Sequence, residues 1–297
     1  MRIDVHQHLW SEPLLDALSR RRQPPCVRDE NGLTMLHLAG ERPCVLELGG
    51  ESPRQRARLV ERDGLDRALI CLSSALGIES LEREQAEPLL EAYHEGALSL
   101  GPPFGVWGAV ALDRQDPLDV DRVLDRSCVG VSLPASALAD VASLTRVGAL
   151  LERLEARDAP LLVHPGPAGL GGTRGATLRD PLWWPAMTDY VAGMHAAWLA
   201  FLAVGRRDHP RLRVVFAMLA GLAPIHEERL AARGGSVWRA RDPLLFYETS
   251  SYGPGAIRAM ARAVGREQLL YGSDRPVVQP PRFEVAERLA PAQEALL

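Results

Sequence analysis

Eight short apolar runs alternate with helix-length amphipathic segments along this chain of 297 residues. Strands that alternate with helices pair in parallel through right-handed crossovers, so eight such units predict an α/β fold of the (β/α)8 barrel type, with a doubly wound sheet as the alternative. We expect one domain over residues 1–297. The predicted strands cover residues 2–9, 66–74, 106–113, 128–135, 159–166, 213–219, 244–251 and 269–276.

Polar side chains at the ends of these runs favour the barrel over the open sheet. His6 and His8 end the first run, His164 ends the fifth and Asp274 ends the eighth. In a (β/α)8 barrel the carboxyl ends of all strands meet at one face, where the active site lies. We therefore expect these four side chains to lie together.

The spacing of His6 and His8 suits a metal site, because residues i and i+2 of a strand leave the same face. Two unrelated histidines near a terminus are the alternative. Three imidazoles with a carboxylate suit one divalent metal ion, zinc for preference and manganese otherwise. Such an ion activates water as a nucleophile, and Asp274 could then act as a metal ligand and as the general base.

Two segments interrupt the strand and helix alternation. Residues 20–52 contain turn signals between short apolar runs and predict a small β-rich insertion after the first strand. Residues 166–200 begin as a glycine-rich loop and continue as a helix, and they are expected to form a pocket wall. Trp184 and Tyr190 in this segment are candidate substrate contacts, with simple packing on the barrel as the alternative.

Composition excludes several classes of function. The net charge of -4 indicates no basic surface for binding nucleic acid. The sequence shows neither a signal sequence nor 18 consecutive apolar residues, which predicts a cytoplasmic protein that does not enter a membrane. All 34 Lys and Arg residues are arginine, so no lysine can form a Schiff base or a carbamate bridge between two metals. The four cysteines lack C-x-x-C spacing and are expected to be thiols, although Cys26 and Cys44 could approach each other.

The strand-end motifs resemble those of the amidohydrolase superfamily, in the amidohydrolase 2 branch that includes aminocarboxymuconate-semialdehyde decarboxylase and gamma-resorcylate decarboxylase. The resemblance implies a (β/α)8 barrel, an insertion after the first strand that lines the pocket, and one divalent metal on His6, His8, His164 and Asp274. Members of the branch often form dimers, so the resemblance makes a homodimer possible. The motifs are DVHQHLW, LLVHPG, FYETSS and LLYGSDRP.

One position departs from the family pattern. The sixth strand of the family commonly ends in a histidine that serves as an acid/base in the decarboxylases and as a metal ligand in many hydrolases, whereas Met218 stands here. A thioether moves no proton and is a poor ligand for a borderline cation, so a binuclear site is not expected. His37 or His195 could supply the missing acid/base, with surface or packing roles as the alternative, and Met218 itself is a candidate substrate contact.

Charged residues near the expected pocket have two interpretations each. Arg275 could bind a substrate carboxylate, but its position next to Asp274 favours a structural salt bridge. Arg28 and Arg42 in the insertion are other candidate anion contacts. Glu248 ends the seventh predicted strand near the same face, with an ion pair to an arginine as its alternative.

These observations predict a metal-dependent hydrolase that cleaves a C–N or C–O bond of a small substrate, aromatic or carboxylate-bearing, by metal-activated water. A non-oxidative decarboxylase of the same family is the first alternative, and Met218 argues against it. A catalytically degenerate metal-binding barrel is the second.

Overall fold

The computed structural model describes residues 1–50, 52–168, 180–235 and 241–278. Eight parallel strands form one sheet in sequence order, which confirms the barrel prediction. Each observed strand overlaps one predicted run. The strands are β1 (Ile3–Gln7), β5 (Arg67–Ile70), β6 (Phe104–Ala109), β7 (Gly130–Pro134), β8 (Leu161–His164), β9 (Val214–Phe216), β10 (Leu245–Glu248) and β11 (Leu269–Leu270).

The sheet closes where β1 meets the chain that follows β11. The backbone N–H of Val5 donates to the carbonyl of Tyr271 at 2.9 Å, and the N–H of Asp274 donates to the carbonyl of His6 at 2.9 Å. A parallel bridge also joins Gln7 to Arg275. An open doubly wound sheet would leave these edges apart, so the closing bonds decide between the two predicted architectures.

Helices follow the strands as crossovers. Two helices, Trp184–Met187 and Asp189–Ala200, precede a π-helical turn, Phe201–Gly205, which continues into the helix Arg206–Asp208. The helices are α1 (Glu12–Ser19), α2 (Pro53–Arg62), α3 (Arg83–Leu98), α4 (Leu118–Asp125), α5 (Val141–Arg146), α6 (Gly148–Ala156), α7 (Trp184–Met187), α8 (Asp189–Ala200), α9 (Arg206–Asp208), α10 (Glu227–Ala232) and α11 (Pro254–Val264).

The barrel interior is filled by side chains, as the buried strands require. All five residues of β1 are buried, including its polar ones. Trp107 in β6 is fully buried, and its indole N–H donates to the carbonyl of Val5 at 2.9 Å. Gly130 makes room for this ring, because a Cβ there would lie 2.8 Å from the Trp107 ring and 2.2 Å from the Pro160 carbonyl oxygen.

The predicted insertion is a three-stranded antiparallel sheet of β2 (Cys26–Glu30), β3 (Leu33–His37) and β4 (Cys44–Val45). Asn31 and Gly32 connect β2 to β3 with φ of 57° and 79°, the left-handed conformation of a two-residue hairpin turn. Cys26 and Cys44 are free thiols, because β3 lies between their strands.

The chain from Trp184 to Asp208 is the crossover from β8 to β9. Its 25 residues are long and apolar enough to cross a membrane by length and composition, with a mean hydropathy of 1.2 in its most apolar window. Met194, Trp198 and Phe201 bury their side chains in the core. This packing is that of a barrel crossover helix. Residues 169–179 of the predicted pocket-wall segment lie outside the described residues.

His94 on α3 leads to a prediction on the pH dependence of stability. Its Nε2 accepts the N–H of Ala109 at 3.1 Å, and burial together with the Arg126 guanidinium lowers the pKa of His94 to about 4. The unfolded chain binds this proton near pH 6.5, so His94 contributes its full stabilisation above that pH and loses it as pH falls towards 4. The lost free energy of unfolding is about 3 kcal/mol over that window.

Urea unfolding of the protein and of His94→Gln at both ends of this window measures the effect. We expect the variant to lose about 3 kcal/mol less than the native chain on acidification. The exposed His226→Gln is the matched control, with the native pH dependence. Equal losses in the native chain and His94→Gln would contradict the prediction.

Candidate metal centre

Three imidazoles converge at the carboxyl end of the barrel. His6 lies in β1 and His8 directly follows it, and their Nε2 atoms are 3.1 Å apart. His164 ends β8 and brings its Nε2 to 3.2 Å from that of His8. The ring centroids are 4.9 to 5.0 Å apart, and all three side chains are buried. The structure thus brings together the three histidines that the spacing of two and the strand-end positions predicted.

The opposite nitrogen of each ring contacts an acceptor. His6 Nδ1 lies 2.9 Å from a carboxylate oxygen of Glu248, His8 Nδ1 lies 2.9 Å from the carbonyl oxygen of Cys71, and His164 Nδ1 lies 2.8 Å from that of Pro165. Carbonyl oxygens only accept, so these partners assign the proton to Nδ1 and leave the Nε2 lone pair free.

This arrangement fits a cation. Three Nε2 lone pairs pointing into a buried space would repel one another, whereas a zinc-like ion bound at 2.0–2.1 Å holds tetrahedral nitrogen ligands about 3.3 Å apart. The observed separations of 3.1 and 3.2 Å are close to that value. Metal-bound histidines characteristically donate their second nitrogen in the way seen here.

Cys71 adds a thiol that the sequence interpretation did not assign to the site. His6, His8, Cys71 and His164 each offer a ligand atom, and these atoms lie within 4.8 Å of one another in a buried site able to hold one metal ion. Cys71 follows β5 directly and His164 is the last residue of β8, so both lie at the carboxyl ends of barrel strands. Its place at the end of a predicted strand is the sequence signal that could have identified Cys71 as a site residue.

Asp274 also lies at the cluster. Its Oδ1 is 3.1 Å from His8 Nε2 and 3.7 Å from His6 Nε2. The Asp274 side chain is 14% exposed, whereas the imidazoles of His6 and His8 are 1% and 3% exposed. The described centre is therefore most accessible on the side of this carboxylate.

Glu248 at the end of β10 contacts the cluster through His6. Its Oε2 lies 2.9 Å from His6 Nδ1, and it accepts hydrogen bonds from the Ser250 hydroxyl at 2.8 Å and the Met218 N–H at 3.3 Å. Gly272 leaves room for this buried side chain, because a Cβ there would lie 2.0 Å from Glu248 Oε1. Packing against Glu248 thus explains why the YGSD motif has a glycine at this position.

A buried polar network ties β1 to the loop that carries Asp274. The Asp4 carboxylate accepts the N–H of His6 at 3.1 Å, the N–H of Ser273 at 3.0 Å and the Gln7 amide at 2.7 Å. Arg56 donates to Gln7 Oε1 at 2.6 Å and to the His8 carbonyl at 2.9 Å. The network holds the backbones of the two chain segments whose side chains meet at the centre.

Met218 follows β9 in an unusual backbone conformation. All five residues of 218–222 have φ between 50° and 68°, in the left-handed region. This conformation costs about 1–2 kcal/mol for each residue other than glycine. The Met218 N–H donates to Glu248, whose carboxylate also contacts His6, so this turn is joined to the centre through its backbone. Met218 as a substrate contact remains a prediction.

The two histidines predicted as acid/base groups have other partners. His37 on β3 contacts Glu30 Oε1 through Nε2 at 2.8 Å. His195 on α8 contacts the Gly221 carbonyl through Nε2 at 2.8 Å, and its ring packs edge-on against His226. Neither belongs to the described group of ligand atoms around His8. Catalytic roles for His37 and His195 remain predictions.

Two of the predicted substrate contacts, Trp184 and Tyr190, lie in α7 and α8. Trp184 is 39% exposed. The Tyr190 hydroxyl donates to Glu41 Oε1 at 2.6 Å, a bond that joins α8 to the insertion after β1. Substrate contacts by Trp184 and Tyr190 remain predictions.

The arginines considered for anion binding have protein partners. Arg275 forms an ion pair of 2.6 Å with Asp63, which is the structural interpretation given above. Arg28 donates to backbone carbonyls, and Arg42 donates to the carbonyl of Asp180 at 3.2 Å. Binding of a substrate anion by any of them would compete with these bonds.

Comparison with known proteins settles the family. The sequence profile of the amidohydrolase 2 family, described as Amidohydrolase, matches residues 3–296. The chain belongs to this family. It is a metal-dependent enzyme of the amidohydrolase family. The buried site that can hold its metal ion consists of His6, His8, Cys71 and His164. No curated protein sequence matches the chain.

Several solved structures share the fold. The apo form of an IDCase from Metarhizium anisopliae has a TM-score of 0.77 at 17% identity, covering 99% of this chain and 90% of its own. The 5-carboxyvanillate decarboxylase LigW from Sphingomonas paucimobilis has a TM-score of 0.74 at 18% identity, covering 99% and 97%. A 5-carboxyvanillate decarboxylase from Novosphingobium aromaticivorans, complexed with manganese and 4-hydroxy-3-methoxy-5-nitrobenzoic acid, has a TM-score of 0.66 at 15% identity, covering 98% and 89%.

Proposed function

We propose that this protein is a metal-dependent non-oxidative decarboxylase of a small aromatic carboxylate. The observation that carries the proposal is the buried three-histidine centre, in a barrel similar over 98–99% of its length to 5-carboxyvanillate decarboxylases. One of those relatives holds manganese and a hydroxylated nitrobenzoic acid. The proposal places decarboxylation before hydrolysis. The sequence alone favoured hydrolysis, because Met218 stands where the decarboxylases of the family have a histidine.

The proposed metal ligands are His6, His8 and His164 through Nε2, together with Asp274. Convergence of the three Nε2 atoms and the 3.1 Å approach of Asp274 Oδ1 to His8 Nε2 support this set. A bound divalent cation would supply the positive charge that orients and polarises a substrate bearing carboxylate and hydroxyl groups. Glu248 and the carbonyls of Cys71 and Pro165 hold the imidazoles in place.

Asp274 is the proposed proton-transfer group. In a decarboxylation, the bond between the ring carbon and the carboxylate breaks, CO2 leaves, and the electron pair on the ring carbon takes up a proton. The Asp274 carboxylate can take up a proton from water and then deliver it to the ring carbon, because it is more exposed than the buried Glu248 carboxylate at the centre. Met218 presents a thioether that neither gives nor takes a proton.

The test is a substrate panel with the purified protein loaded separately with zinc and with manganese. We expect CO2 release and a phenolic product from at least one hydroxybenzoate. Acid release from lactones or amides with no CO2 from any hydroxybenzoate would overturn the proposal in favour of hydrolysis. A metal-loaded protein that is inert on the whole panel would overturn it in favour of a degenerate, metal-binding barrel.

A further inference from the structure

We propose that Cys71 is a direct thiolate ligand of the metal and that it makes the centre selective for zinc over manganese. The inference rests on the proposed metal centre and deepens it. The Cys71 side chain is buried, and its sulfur lies within 4.8 Å of a ligand nitrogen of each of the three histidines. A zinc ion bound to nitrogen and sulfur at their usual lengths of about 2.0 and 2.3 Å spans such a group after small side-chain shifts.

The backbone holds Cys71 in a defined position at the centre. Its N–H donates to the carbonyl of Gln7 at 2.8 Å, and its carbonyl accepts from His8 Nδ1 at 2.9 Å. The sulfur lies 3.5 Å from the same Nδ1, which the shorter bond to the carbonyl already satisfies. The thiol is therefore not required to orient His8, and it remains available as a ligand.

The donor set then differs from one that suits manganese. Thiolate and imidazole favour zinc, whereas carboxylate, carbonyl and water ligands suit manganese, and the general order of affinities also places zinc above manganese. Formation of the sulfur–metal bond releases the thiol proton to solvent.

A cobalt spectrum tests the ligand. Metal-free protein is reloaded with Co²⁺, and we expect intense near-ultraviolet absorption from thiolate-to-cobalt charge transfer beside weaker visible bands. Cys71→Ser is expected to lose the ultraviolet absorption and keep the visible bands. Cys128→Ser, at a buried thiol outside the ligand group, is the matched control and should keep both. A cobalt-loaded native protein without the charge-transfer absorption would overturn the proposal.

Metal competition tests the selectivity. The ratio of zinc to manganese affinity is measured for the native protein, Cys71→Ser and Cys128→Ser by metal analysis at equilibrium. We expect Cys71→Ser to lower the ratio by about tenfold or more and Cys128→Ser to leave it unchanged. An unchanged ratio in Cys71→Ser would overturn the proposal. If Cys71→Ser does not fold, as judged by circular dichroism, the cobalt spectrum of the native protein decides.

These outcomes are separate from those of the substrate panel. CO2 release by a protein without thiolate absorption would leave the decarboxylase proposal standing and remove the role of Cys71. Thiolate absorption in a protein that releases no CO2 would support Cys71 as a metal ligand and overturn the decarboxylase proposal.

Discussion

Replacing His8 by alanine is expected to empty the metal centre and to lower the turnover rate by at least about 1,000-fold. His8 Nε2 lies at the middle of the cluster, 3.1 Å from His6 Nε2, 3.2 Å from His164 Nε2 and 3.1 Å from Asp274 Oδ1. Loss of a residue that merely orients a ligand costs about 10–100-fold in metal affinity or activity, and loss of a ligand costs more. Metal analysis of protein never exposed to chelator, with CO2 release on the best hydroxybenzoate, measures both effects.

The control for this variant is His226→Ala, which removes an exposed imidazole outside the ligand group. It should retain one metal ion per chain and native turnover. Thermal unfolding of His8→Ala separates loss of metal from loss of fold. A folded His8→Ala protein with a full equivalent of metal would show that the three imidazoles do not form the binding site.

Asp274→Asn is expected to lower turnover by about 100- to 10,000-fold at saturating metal, the usual contribution of a positioned proton-transfer group. An amide keeps the size of the side chain and an oxygen that can face the cation, but it neither gives nor accepts the transferred proton. The expected result is therefore a protein that binds metal when it is supplied in excess and barely releases CO2. Steady-state rates measured across a metal titration distinguish weak binding from slow chemistry.

Asp66→Asn serves as the matched control, since Asp66 pairs with Arg2 at a half-exposed position. Its turnover should equal that of the native chain. Turnover of Asp274→Asn within threefold of native at saturating metal would transfer the acid/base role to another group. His37 and His195 would then be the next candidates to substitute.

The pattern of the sequence was sufficient for the barrel and for most of the centre. Alternating strand and helix signals predicted eight parallel strands, and the spacing of two between His6 and His8 predicted that their rings would share a face. Placement at strand ends then predicted that His164 and Asp274 would join them. These inferences succeed because strand periodicity and the common carboxyl edge of a barrel are properties of local geometry and chain direction.

Other features depended on contacts between distant segments. The partner of Glu248 could not be read from the chain, because any of many arginines was available. Only the closure of the barrel, in which β11 and the chain after it lie between β10 and β1, brings its carboxylate to His6 Nδ1. The ion pair of Arg275 with Asp63 likewise joins positions more than 200 residues apart. Choice among competing partners is decided by position in three dimensions.

Cys71 shows most clearly the difference between what local sequence patterns predict and what the tertiary structure decides. The amino-acid order by itself determined a barrel with histidines and an aspartate at its active face, because periodicity and strand ends are written into neighbouring residues. Only the closed sheet decided that a thiol after the second barrel strand lies beside those imidazoles, and that the Nδ1 atoms of the rings face acceptors. Bond distances between side chains from separate strands arise from the relative placement of those strands, which no local pattern specifies.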